Sequence, residues 1–247
     1  MSKAIAANRT KSGFRPGFHL VMVLVMSAFV FGGFGMTYLL PHAAGTRLPD
    51  PPVVHLHGAV FFGWMLLLVV QSLLVNVKNV KLHRSLGMFG IAWGALVAFM
   101  GMLITLVASM NVNFDDPSTP PVFFLSYVAP PSFAVIFAMA ISATKAPKIH
   151  RNLVLIATIA ILMPGINRMY MQVLALNYVP VFATYMTMNL LLAAVLWHER
   201  KATGSISRMS WIAAAIVVIP QPLNYLVSPQ PWWFDFASAA GDLVYYR

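Results

Sequence analysis

Seven apolar runs separated by short turns, several of them basic, constrain this chain more than any other feature. They lie at about 18–40, 53–77, 86–108, 122–144, 153–174, 181–197 and 210–227. At ~1.5 Å per residue each is about long enough for a ~30 Å hydrocarbon core. Only 9% of residues are charged, against about a quarter in a soluble domain. The sequence therefore predicts an all-α polytopic membrane helix bundle with seven transmembrane helices at 18–227. A basic arm (1–17) precedes it and an aromatic tail (228–247) follows. The tail is too polar to span, and Trp232, Trp233, Tyr245 and Tyr246 suit the membrane interface. The basic lead could open a signal peptide, but the first apolar run is too long and Pro41 and His42 replace a small-residue cleavage site. A retained first span is expected.

Orientation follows from lysine and arginine. Thirteen of the sixteen lie in the arm and in the turns after spans two, four and six, and only Arg47 and Arg247 lie on the opposite side. Five of the six acids fall on that poor side. The positive-inside rule then puts the N-terminus in the cytoplasm and the C-terminus outside. The net charge of +10 is thus a topological signal, and the partner it implies is the lipid bilayer rather than nucleic acid. With no cysteine, disulfides and thiolate chemistry are excluded. Asp115, Asp116, Ser118 and Thr119 before Pro120 and Pro121 form a plausible N-terminal cap for span four.

An internal repeat is visible. Lys81-Leu82-His83-Arg84-Ser85-Leu86 recurs as Lys148-Ile149-His150-Arg151-Asn152-Leu153, each copy opening an outward-going helix. Spans two–three and four–five read as parallel hairpin repeats. Placed in turns, both Lys-x-His-Arg segments read as phospholipid headgroup contacts.

Candidate chemistry is sparse. On a helix His57, Trp64 and Gln71 fall within about 40° of one face, and a polar stripe of this kind belongs inside a bundle. It serves either interhelical hydrogen bonding or a ligand. His42, His55 and His57 share the acid-bearing side and are candidate ligands for copper or zinc, though i and i+2 positions diverge by about 200° on a helix. Arg168 lies inside span five with no intramembrane acid to neutralise it, which makes it a candidate for function; snorkelling or bonds to carbonyls freed near Pro164 would be the structural alternatives. Tyr127, Asn167, Tyr185, Gln221 and Asn224 lie at similar depth. Together they suggest a polar pocket in the outer half of the bundle for an anionic or carbonyl-bearing amphiphile such as a quinone or lipid.

His19, His83, His150 and His198 on the basic side raise a b-type haem held by two histidines, for which their position near the membrane surface is unfavourable. The glycines of span three (Gly87, Gly90, Gly94, Gly101) form a smooth packing face. No span carries a lysine for a retinal Schiff base, and no hydrolytic triad or zinc-protease motif occurs.

The pattern His55-x-His57-Gly58, Trp64, Gln71 and Leu82-His83-Arg84-x-Leu86-Gly87, with the stretch from Ile149 to Thr158, resembles a family of uncharacterised bacterial inner-membrane proteins. The resemblance implies topology and a bacterial inner membrane, and no activity. The leading expectation is a non-catalytic or accessory membrane protein that binds a small amphipathic ligand. A haem- or quinone-linked redox protein and a small-molecule transporter stand as alternatives.

Overall fold

The computed structural model describes residues 15–110, 123–176 and 180–244. The expected cap at Asp115–Pro121, the arm's Lys3, Arg9 and Lys11, and the tail's Tyr245 and Tyr246 lie outside these. Among the described residues the chain is helical, without strands. Six helices are long and apolar enough to cross a membrane, and a bent helix pair makes a seventh if it counts as one span.

The first span is α1 (Phe18–Phe34), a π-helical turn (Gly35–Leu39) and α2 (Leu40–Ala43). Then follow α3 (Pro52–Asn76), α4 (Val80–Ser109) and α5 (Phe123–Ser142). The bent pair is α6 (Pro147–Ala160) and α7 (Met163–Val173), followed by α8 (Val181–Thr203). The last span is α9 (Arg208–Val218) with α10 (Pro220–Val227), and α11 (Pro231–Asp242) covers the end of the bundle.

Both Lys-x-His-Arg segments differ from expectation, for they are helical rather than turns. Asn79 caps α4 by accepting from the Leu82 N–H at 3.2 Å, and Pro147 occupies the first turn of α6, where its missing N–H costs nothing. The α3–α4 turn shrinks to three residues (77–79), with Lys78 at φ 63°. His83 and His150 are thereby drawn into the first turns of two helices.

Span five is not one straight helix. α6 and α7 meet at 58°, because Pro164 has no N–H for the Ala160 carbonyl and its ring clashes there. Ile161 and Leu162 instead bond back three residues, to Thr158 and Ile159. Pro130 and Pro131 lie inside α5 without ending it. The Ser126 carbonyl, which Pro130 cannot serve, accepts from Thr105 Oγ1 of α4 at 3.1 Å. Such rescue from a neighbouring helix is what an interior proline needs in lipid.

Helix α6 is the centre of the bundle. Residues 152, 153 and 155–160 are buried, and the helix packs on α5, α8, α9 and α1. The bend sends α7 back against α1, where Gly33 and Gly165 meet. The tail is partly structural: Trp232 is exposed, but Trp233 is buried beside Tyr127 and Phe124.

A Cβ on Gly33 would stand 2.5 Å from the Gly165 carbonyl oxygen, whereas one on Gly58 would meet nothing within 4 Å. Gly33→Ala should therefore part α1 from α7 and cost about 1–3 kcal/mol, lowering the melting temperature in detergent. Gly58→Ala should melt with the parent.

Candidate functional site

The residues singled out from sequence fall into separate groups. At the acid-bearing end His42 and His55 are neighbours, with ring centroids 5.4 Å apart. His42 Nε2 meets Asp50 Oδ2 at 2.8 Å, Arg47 holds both oxygens of Asp50 at 2.6 and 3.0 Å, and the Tyr38 hydroxyl pairs with His55 Nδ1. His57 is turned elsewhere. Its ring lies on Phe61 at 4.2 Å and beside the Met100 backbone, with Nδ1 buried and without a partner among the described residues. Among the described residues no three His, Cys, Asp or Glu side chains are grouped to hold a metal.

Arg168 reaches from α7 to the π-helical turn of the first span. It donates to Thr37 Oγ1 at 3.3 Å and sits over the Phe34 ring at 4.7 Å. Thr37 accepts while its own hydroxyl donates to the Gly33 carbonyl at 2.7 Å. Among the described residues no carboxylate lies within ion-pair distance of Arg168; the pairs present are those of Asp50.

Several expected pocket residues are committed to helix contacts. Gln221 and Asn189 exchange two amide bonds at 2.9 and 3.0 Å. Asn224 Oδ1 accepts from the Leu125 N–H at 3.1 Å. Tyr127 bonds Ser109 at 2.6 Å and donates to the Ala237 carbonyl at 3.3 Å. Tyr185 is buried against Tyr225, its hydroxyl without a partner among the described residues, and Asn167 is half-buried on α7. Gln221, Asn224 and Tyr127 thus spend their polar atoms on contacts between helices.

The large cavity lies at the opposite, basic end. It measures about 970 Å³ and opens between the α3–α4 and α5–α6 hairpins. Trp64, Leu67, Leu68, Phe137, Ile141 and Val154 supply apolar walls. Trp64 is fixed by a bond to Thr158 Oγ1 at 3.3 Å and by the edges of Phe133 and Phe137. Gly87 and Gly90 of α4 also line it, so part of the glycine face makes room instead of closing on a neighbour. A second cavity of about 300 Å³ shares Gln71, His83, His150 and Arg151 and adds His19.

Polar residues of both repeats line this space: His83 and Arg84 from one, Lys148, His150 and Arg151 from the other. The orientation of the Gln71 carboxamide that satisfies both its ends donates to His83 Nδ1 at 2.6 Å and accepts from the Gly87 N–H at 3.1 Å. His150 Nδ1 donates to the Ala140 carbonyl at 2.8 Å. The Arg151 guanidinium has no hydrogen-bond partner among the described residues, and its Nε is buried. His19 bonds Asn152 at 2.8 Å, and His198 stacks on Phe18 at 3.9 Å, away from the larger cavity.

Gln71 and Trp64 were legible as an inward stripe. Arg84 is exposed as the sequence predicts, whereas His83, His150 and Arg151 are half-buried, because the helices begin before them. The signal was Asn79, a helix N-cap residue, and the spacing His83, Gly87, Gly90, which places the histidine on the glycine face. The chain matches no family model, no curated protein and no solved structure. Any chemistry must be argued from this geometry.

Outside the spans, hydrogen bonds from Arg47 and then His42 hold the Asp50 carboxyl well below its usual range. An acid depressed in the fold stabilises above its unfolded value of about 3.9 and stops doing so as pH falls below it toward the depressed one. A nitroxide on Thr46→Cys, in a chain with no other cysteine, should be immobilised at neutral pH, stay so through about pH 4, and loosen only as pH falls on toward the depressed value. Adding Asp50→Asn should leave it mobile at every pH.

Proposed function

We propose that this protein binds a small anionic amphiphile in the cavity at its basic end. The molecule enters from the surrounding lipid, its apolar part against Trp64, Leu67 and Phe137 and its head among Arg84, Lys148 and Arg151. One observation carries the reading: a half-buried guanidinium, Arg151, faces an apolar cavity of about 970 Å³ with no counter-charge among the described residues. An uncompensated charge in such a place is costly, and an anionic head removes the cost. The volume is within the ~300–1,000 Å³ usual for small-molecule sites.

This reading puts the ligand-binding residues at the opposite end from the outer-half pocket expected from sequence. The thirteen lysines and arginines on one side support a cytoplasmic basic end in a bacterial inner membrane, so the ligand would be drawn from the inner leaflet. Reporter fusions following Lys78 and Lys145 should read cytoplasmic, and a C-terminal fusion periplasmic.

The binding reading is tested by mass spectrometry of lipid retained through detergent purification. The parent chain should retain an anionic amphiphile near one per molecule. Arg151→Ala should lose at least about tenfold in retention, the effect expected for removing a charge-assisted contact of ~1.5–3 kcal/mol. Arg208→Ala, at a basic residue that does not line the cavity, should retain it. Equal retention by the parent and Arg151→Ala would end the proposal.

A further inference from the structure

We propose that the occupant of this cavity is a two-chain anionic phospholipid of one leaflet, held upright with its tail ends against a floor made by Trp64. The inference rests on the amphiphile reading above and narrows the apolar part of the ligand.

The floor is set by where the lining stops. Each wall has a deepest residue: Trp64 on α3, Ile91 on α4, Phe137 on α5 and Val154 on α6. Beyond them Val60, Gly94, Phe133 and Thr158 are buried in the bundle and do not line the cavity. The Trp64 indole closes this level by donating to Thr158 Oγ1 at 3.3 Å, and its ring packs edge-on with Phe133 and Phe137. Helices α4 and α5 touch there too, since a Cβ on Gly94 would stand 2.2 Å from the Phe137 ring.

The depth is that of one leaflet. The lining runs from Trp64 to Val75 on α3 and from Ile91 to Val80 on α4. At ~1.5 Å per residue either run is ~16 Å long. Half of a ~30 Å hydrocarbon core is ~15 Å, and Trp64 is the middle residue of α3 (Pro52–Asn76). The floor therefore lies at the midplane, with the cationic rim of Arg84, Lys145 and Lys148 at one membrane surface.

The width is that of two chains. A volume of about 970 Å³ spread over ~16 Å leaves a mean section of ~60 Å². Parallel hydrocarbon chains in contact lie ~4–5 Å apart, so each takes ~20 Å². A single chain would leave most of the section empty, and an apolar void forfeits the contacts of its lining atoms. Two chains fill it far better. Met88 and Ile91 both line the cavity and are exposed to lipid, which marks the side of entry. A slot closed at the midplane holds its lipid in one leaflet and gives it no passage across.

Width is tested on the purified full chain in detergent, by native mass spectrometry with two lipids at equal mole fraction. Dioleoyl phosphatidylglycerol and oleoyl lysophosphatidylglycerol share head, charge and chain type and differ in chain number. The two-chain lipid should bind at least about tenfold more tightly, because it fills the void the other leaves. Depth is tested in phosphatidylcholine nanodiscs by the fluorescence of Trp64, taken as the difference between the parent chain and Trp64→Phe. Phosphatidylglycerol brominated near its tail ends should remove most of that signal, and the same lipid brominated beside its ester groups should remove little. Equal or greater quenching by the ester-side bromine would overturn the floor. Equal affinity of the parent chain for the two lipids would overturn the two-chain slot and leave the amphiphile reading standing. Binding of neither would overturn both.

Discussion

The bundle depends on a helix that has almost no face left for lipid. From Asn152 to Ala160 α6 is buried on nearly every side, so its polar atoms must find partners inside the protein. They do: Asn152 holds His19 of α1, and Thr158 takes the Trp64 indole of α3. Those two bonds tie the first two spans to the centre. The bend that ends α6 then decides what lies at the other end, since a straight span would not return α7 to Gly33 and bring Arg168 beside Thr37.

The repeat acquires a physical role from the same arrangement. Two hairpins with similar helix starts place a histidine and an arginine each at one end of the space between them. What differs is the partner of the imidazole: a side-chain amide that can donate in one copy, a backbone carbonyl that cannot in the other. A near-symmetric scaffold therefore presents asymmetric chemistry. The asymmetry comes from Gln71, a residue outside the repeated motif.

Hydropathy made the spans legible because the bilayer imposes length and apolarity on any helix that crosses it. It could not place Pro164's bend, since the same composition serves a straight helix and a broken one. The site was harder to read. Arg168 stood out as an intramembrane cation, but its stacking on Phe34 joins residues 134 positions apart in sequence, which periodicity does not reveal. Gln221, Asn224 and Tyr127 looked like pocket residues because polar groups in apolar spans attract that reading. Their partners Asn189, the Leu125 N–H and Ser109 are ordinary members of other helices, and nothing local pairs them. The histidines of the repeat were misjudged by a few residues of helix, enough to move them from a surface turn to a cavity wall.

The π-helical turn at Gly35–Leu39 has a consequence for the whole acid-bearing end. It absorbs one residue more than an α-helical turn, with the Leu40 N–H reaching back to the Gly35 carbonyl, and so offsets everything beyond it by about 100° of helix rotation. Thr37, Tyr38 and His42 meet Arg168, His55 and Asp50 in this phase. Were the extra residue to migrate toward the C-terminal end of the first span, beyond His42, all three contacts would lose register together. The segment is in effect a rotary detent, and one loop, the first turn of α3 and a half-buried cation are indexed to one surplus residue.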